Sequence, residues 1–312
     1  MEFNHILQHS LEGLQRIERL ANRPDLPVRK ALSAAEELVA HGHPGASRPI
    51  SILQAETRHR NVIAYAEMIG KAFSEIRKFY RIENTSRKNI EICYRKNSYL
   101  HAKNPAENDA LLVIFTNMFN NFYVSNAALI AMLSRLPCDI LLLKDASFLN
   151  YHGGISGFAA DMPGIAASIQ RFAHKRGKQR IYVSGYSSGG YAALLTSLLM
   201  PCDGYLGFSH QTDLSKDSPL PAPRLFSDEV RAQVNPEWLL DCRRLLEKAA
   251  PAVPRTLVYG GRNDRDVAHA THLDGLASIS LVHLPGAAHN TIQPLIAEGK
   301  LIEMFRALVA PG

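Results

Sequence analysis

The run Gly185-Tyr186-Ser187-Ser188-Gly189-Gly190 stands between an apolar, strand-like segment, Arg180-Ile181-Tyr182-Val183-Ser184, and an alanine- and leucine-rich helical one. A chain that passes from strand to helix across a serine with glycines two positions either side turns so sharply that the serine takes strained backbone geometry. Side chains at the glycine positions would collide with neighbouring elements. The pattern predicts Ser187 presented at the C-terminal edge of a sheet, with Gly190, Ala192 and Ala193 keeping the first turn of the next helix thin. The amides of that turn then point at whatever reacts at Ser187.

A serine hydroxyl is a poor nucleophile at neutral pH and needs a histidine base and a carboxylate to orient it. Arg255 to Gly261 reads as a buried strand ending in glycines, followed by Arg262-Asn263-Asp264-Arg265-Asp266-Val267. Asp264 is the expected acid on loop position, Asp266 is the runner-up, and Asp213, beyond the strand Gly204 to Phe208, is a third candidate. Ile279 to Pro285 is another strand pattern, followed by Gly286-Ala287-Ala288-His289-Asn290, so His289 is the expected base.

From about Asn89 to the C-terminus, these segments in this order resemble the α/β-hydrolase superfamily. The run Gly261 to Val267 resembles its acid loop, and the Pro-Gly-x-x-His stretch ending at His289 resembles its histidine loop. The resemblance implies a doubly wound, mostly parallel sheet and a serine esterase working through Ser187, His289 and Asp264, with an acyl-enzyme and neither cofactor nor metal. Thioesterases and acyltransferases use the same constellation, and a catalytically inactive binding or scaffold module is the alternative from another class. The resemblance also implies an oxyanion hole built from the Ser188 amide and a second amide, Met118 or Asn117, after the strand Leu111 to Thr116. There the chain departs from lipases and many esterases, which carry a histidine and glycines: it has Asn117-Met118-Phe119-Asn120-Asn121. Those asparagines suit helix capping near Ser125 as well as donation to an oxyanion. Tyr186 inside the elbow, and Tyr151 and His152 in the glycine-rich loop Leu149 to Gly157, are expected to contact substrate. Lys144-Asp145, Tyr151 and Gly154 to Gly157 also resemble hydrolase-like domains found with bacterial surface-polysaccharide and accessory secretion systems, which implies an O-acyl group on a glycan as substrate.

Residues 1–84 read as a helical appendage. Leu7, Leu11, Leu14, Ile17 and Leu20 recur at three- and four-residue steps, and Val62, Ala66, Ile69, Phe73, Ile76 and Tyr80 mark a longer amphipathic helix, docked on the rest of the chain or forming a homodimer seam. Residues 85–312 then alternate strand and helix patterns, with strands at Ile90 to Tyr94 and Tyr99 to Ala102, a helix over Val124 to Leu136, and a short, strand-poor lid at about 211–250 that carries helical patterns around Asp228 to Val234 and Pro236 to Lys248. Between Lys71 and Lys103, nine basic residues face three acidic ones, an excess as large as the net charge of +6. This block reads as a solvated surface, or as a site for an anionic partner. No nucleic-acid motif accompanies it.

Hydrophobic residues make up 46% of the 312 positions, enough for a large buried sheet, and no apolar run approaches the ~20 residues that span a bilayer. The N-terminus lacks the basic and apolar regions of a secretory signal, and the expectation is a cytoplasmic protein. The four cysteines, Cys93, Cys138, Cys202 and Cys242, have neither metal spacing nor disulfide density. His269 and His272 stand three apart on a predicted helix but lack a third ligand in the sequence pattern, so metal binding is set aside.

Overall fold

The computed structural model describes residues 81–83 and 98–310, apart from 105, 125, 134, 146, 222–225 and 250–252. The helices expected over 1–80, the strand expected at Ile90 to Tyr94, Cys93 and nearly all of the basic block lie outside the described residues.

The sheet has eight strands: β1 Arg81–Glu83, β2 Tyr99–Lys103, β3 Ala110–Phe115, β4 Asp139–Leu143, β5 Arg180–Tyr186, β6 Gly204–Phe208, β7 Arg255–Gly260 and β8 Ser280–Leu284. Their order is β1-β2-β4-β3-β5-β6-β7-β8. β1 and β2 pair antiparallel, as do β2 and β4, and every other pairing is parallel. β1 lies on the N-terminal side of the boundary expected at 84, so the sheet reaches into the segment read as helical appendage.

β3 and β4 are buried on both faces, as the centre of a parallel sheet requires. Alternation along β3 sends Leu112 and Ile114 to one face and Leu111, Val113 and Phe115 to the other. The first face is covered by α1 (Asn126–Met132), α7 (Ile292–Ala297) and α8 (Lys300–Val309), through Leu129, Ile292 and Phe305 among others. The second is covered by α2 (Met162–Lys175) and α3 (Ser188–Leu199), through Ile165, Tyr191 and Leu195. α1 is shorter than the expected Val124 to Leu136.

The segment between β6 and β7 packs on the second face through Phe226, Val234, Leu239, Cys242 and Leu246. It holds α4 (Asp228–Arg231), a 3-10 turn (Pro236–Trp238) and α5 (Cys242–Leu246). The single helix expected over Pro236 to Lys248 is broken at Leu239 to Asp241. There the Leu240 amide donates to the Tyr191 hydroxyl (3.0 Å), which itself donates to the Leu240 carbonyl (3.0 Å), and Asp241 caps a new helix by accepting from the Arg243 amide. No helix among the described residues is long and apolar enough to cross a membrane.

Candidate active site

Ser187 closes the turn between β5 and α3 with φ 56° and ψ −121°, a left-handed conformation that costs a non-glycine residue of order 1–3 kcal/mol. The packing around it enforces the turn. A Cβ on Gly185 would stand 2.4 Å from the Gly189 carbonyl oxygen, and one on Gly189 would stand 2.4 Å from the carbonyl oxygens of both Phe115 and Thr116. The first turn of α3 therefore rests on the C-terminal end of β3. Since those atoms are backbone, Gly189→Ala is expected to destabilise the fold by at least ~2 kcal/mol, read as a lower denaturation midpoint at unchanged m.

Ser187 Oγ lies 2.9 Å from His289 Nε2, and His289 Nδ1 lies 2.9 Å from both carboxylate oxygens of Asp266. A carboxylate only accepts, so Nδ1 carries the proton and donates it to Asp266, and the Nε2 lone pair accepts from the Ser187 hydroxyl. Asp266 is 2% exposed, and sits in the first turn of α6 (Asp264–Thr271), where the helix dipole favours its negative charge. His289 hangs from the loop after β8. That loop packs on the end of β7, where Gly260 is obligatory because a Cβ there would stand 2.0 Å from the Ala288 carbonyl oxygen.

The structure thus brings the runner-up Asp266, and not Asp264, to His289. The chain beyond β7 is a helix from Asp264 onward, capped by Asn263, whose side chain accepts from the Asp266 amide. Two residues along a helix is a rotation of about 200°, so with Asp266 turned inward to His289, Asp264 faces solvent and is exposed. Asn263 three residues ahead of Asp266 was the sequence signal for this cap. Asp213 faces neither His289 nor Ser187 among its bonded partners; its carboxylate accepts from the Ser215 amide.

No family model matches the chain, and no curated protein matches it in sequence. Solved structures match it in shape. A 2,6-dihydroxy-pseudo-oxynicotine hydrolase superposes with a TM-score of 0.53 at 14% identity, covering 100% of this chain and 90% of its own. A hydrolase from Pseudomonas aeruginosa PA01 gives 0.47 at 14% identity over 72% of this chain and 98% of its own, and carboxyl esterase 2 from the mycorrhizal fungus Tuber melanosporum gives 0.46 at 15% over 67% and 80%. The chain has the α/β-hydrolase fold.

In this α/β-hydrolase fold, the loop after β3 closes on itself. The Asn117 amide donates to the Asn121 carbonyl (2.8 Å), so Asn117 is not available as the second oxyanion donor. Its side chain accepts from the Phe119 and Asn121 amides and donates to Asn121 Oδ1. The asparagines shape the loop rather than cap a helix, and Asn120, at φ 56°, takes the left-handed conformation that asparagine tolerates. The amides of Met118 and Ser188 donate to no group among the described residues.

Tyr151 is not a substrate contact. Its side chain is fully buried and its hydroxyl sits between the carbonyls of Thr116 (2.9 Å) and Leu143 (2.8 Å), bracing β3 against β4. Its φ of 67° is held by Asp145, whose carboxylate accepts from the Tyr151 amide. His152 is 7% exposed and packs between the rings of Tyr191 and Phe226, and burial pushes its pKa down to about 4, so it is neutral. Tyr186 is buried, with its ring 5.8 Å from that of His289 and 5.9 Å from that of Phe122. It backs the histidine from the core. His283 stands exposed on the edge strand β8, stacked on Tyr259.

Proposed function

We propose that this chain is a serine hydrolase that cleaves a carboxylic acyl ester through an acyl-enzyme. The observation that carries the reading is the unbroken chain of hydrogen bonds from Ser187 through His289 to Asp266, with Ser187 on a strained turn at the head of α3. In this reading His289 takes the Ser187 proton as Oγ attacks the carbonyl carbon, and returns it to the departing alkoxide. Asp266 holds the imidazole in the needed tautomer and stabilises the imidazolium. The amides of Ser188 and Met118 are the proposed oxyanion donors. Water, deprotonated by His289, then attacks the acyl-enzyme and releases the acid and Ser187. A thioesterase or acyltransferase would differ only in leaving group or acceptor. Product analysis with added alcohols separates transfer from hydrolysis.

The glycan O-acyl expectation is weaker than the ester reading, because the loop that suggested it is organised by Asp145 and Tyr151 for packing. The test of the ester reading is labelling by a fluorophosphonate probe followed by turnover of short-chain p-nitrophenyl esters. Wild type is expected to label at a single serine and Ser187→Ala to remain unlabelled; a folded wild type that refuses the probe would move the reading to a binding module.

A further inference from the structure

Three side chains from three separate segments converge outside the candidate active site. Asp213 follows β6, Asp241 caps α5, and His272 caps the C-terminus of α6. One donor atom from each lies within 4.8 Å of the other two. The backbone fixes their approach: Asp213 and Asp241 form an isolated antiparallel bridge, flanked by the Cys242 amide on the Thr212 carbonyl (2.8 Å) and the Leu214 amide on the Leu240 carbonyl (3.3 Å).

The hydrogen-bond directions around His272 make this more than a packing cluster. The Thr212 hydroxyl donates to the His269 carbonyl (3.0 Å), which leaves its oxygen to accept from His272 Nδ1 at 3.0 Å. That assignment puts a proton on Nδ1 and leaves Nε2, 3.4 Å from Asp241 Oδ1, to face the carboxylate either as the second N–H of an imidazolium or as a lone pair with a cation between them. A lone pair and a carboxylate so placed repel unless a cation stands between them. The separation is long for a hydrogen bond between N–H and O. It is, however, about the 3.4 Å that two atoms subtend when each lies about 2.1 Å from a shared ion at a tetrahedral angle. An imidazole whose other nitrogen is held by a hydrogen bond is also the usual form of a metal-ligating histidine. Asp241 Oδ1 further accepts from the Arg243 amide (2.8 Å), and Arg244 Nε lies 3.4 Å from Oδ2, so Oδ1 is the oxygen turned to the cluster. Asp213 is buried, and its Oδ1 accepts from the Ser215 amide (2.8 Å).

We propose that Asp213, Asp241 and His272 form a site for a divalent transition ion of the zinc class, which staples the segment between β6 and β7 to α6. Two carboxylates and one imidazole suit Zn²⁺ better than Ca²⁺, which takes oxygen ligands only. His269, the other half of the sequence pair, takes no part: the Thr212 amide donates to its Nδ1, so its Nε2–H donates to the Pro221 carbonyl.

The test uses the full chain, stripped with a chelator, dialysed and titrated with Zn²⁺ by calorimetry, with elemental analysis and thermal unfolding alongside. The site predicts one saturable equivalent and a rise in Tm of about 5–10 °C when free Zn²⁺ exceeds Kd a hundredfold. Asp241→Asn with His272→Gln is expected to weaken binding at least tenfold and abolish the rise; the asparagine retains the oxygen that caps α5. Absence of saturable binding to wild type, an equal Tm rise in the double variant, or tighter binding of Ca²⁺ than of Zn²⁺ overturns the proposal. Should circular dichroism show the double variant unfolded, His272→Gln alone provides the comparison. None of these readouts depends on ester turnover.

Discussion

Replacing Ser187 by alanine is expected to lower kcat by about 10⁶ while leaving the unfolding transition in place, because the residual rate then rests only on binding and the oxyanion donors. The sharper arm of the same experiment compares two acids two residues apart. Asp266→Asn should lose about 10⁴ in kcat, since an amide in place of the carboxylate can donate to Nδ1 and drive the histidine into the wrong tautomer. Asp264→Asn should stay within a few-fold of wild type, because Asp264 is exposed on the opposite side of the helix from His289. Steady-state turnover of the three variants decides it. Equal losses for both aspartates would sink the assignment of Asp266, and full activity in Ser187→Ala would sink the hydrolase reading itself.

The second large effect is expected far from Ser187, at the opposite edge of the sheet. Asp139, at the start of β4, is 1% exposed and lies in a buried polar network. Its Oδ2 accepts from His101 Nε2 (3.0 Å) and faces Lys178 Nζ (3.1 Å), while Oδ1 accepts from the Asn104 amide and Asn108 Nδ2, each at 3.1 Å. Arg176 Nε donates to His101 Nδ1 (3.2 Å), which leaves Nε2 to carry a proton towards the carboxylate. Burial opposes the charge on Asp139, but the hydrogen bonds from His101, Asn108, Lys178 and the Asn104 amide outweigh it and hold its pKa down to about 2.

Asp139→Ala removes the carboxylate that faces His101 Nε2 and Lys178 Nζ, leaving Lys178 with the Asn108 carbonyl (2.9 Å) and Asn108 Oδ1 (2.8 Å) as acceptors, and removal of one partner of such a network costs about 3–5 kcal/mol, or roughly 10 °C in Tm. The pH dependence has a definite sign. A carboxyl whose folded pKa lies below its unfolded value of 3.8 contributes stability that is fully present above that value and is lost as pH falls towards 2. The contribution is about 2 kcal/mol. Chemical denaturation at pH 2, 3, 4 and 6 should therefore show a steeper loss in wild type than in Asp139→Asn. Parallel curves would mean that Asp139 titrates as in the unfolded chain.

Much of the fold and site was legible because each signal was local. Strand runs such as Gly204 to Phe208 are short, apolar and bounded by breakers, and the turn at Ser187 is written in the glycines that the neighbouring backbone leaves no room to replace. Ser187 and His289 each sit on their own turn, so reading one strand end at a time was sufficient to single out two side chains that the fold places 2.9 Å apart. The carboxylate that meets His289 was expected at Asp264 rather than Asp266 because the two share one short stretch. Only the onset of α6 and its rotation against the loop after β8 decide which of them faces inward. Tyr151 and Asn117 were misread for a related reason. Both lie on loops at the edge where ligands are expected, and nothing local says that the Tyr151 hydroxyl is spent on two carbonyls or the Asn117 amide on Asn121.

The broken helix in the segment between β6 and β7 and the cluster at Asp213, Asp241 and His272 carry the same lesson over longer distances. A hydroxyl from α3 interrupts the helix at Leu240, and three ligand atoms converge from positions up to 59 residues apart. By itself the sequence determined what the backbone does within a turn or a strand, because sterics and hydrophobic periodicity act over a few residues. Which carboxylate meets the histidine, which polar groups are consumed by packing, and which distant side chains share a site were decided by the tertiary structure, since those outcomes depend on how helices are rotated and loops folded against a common sheet.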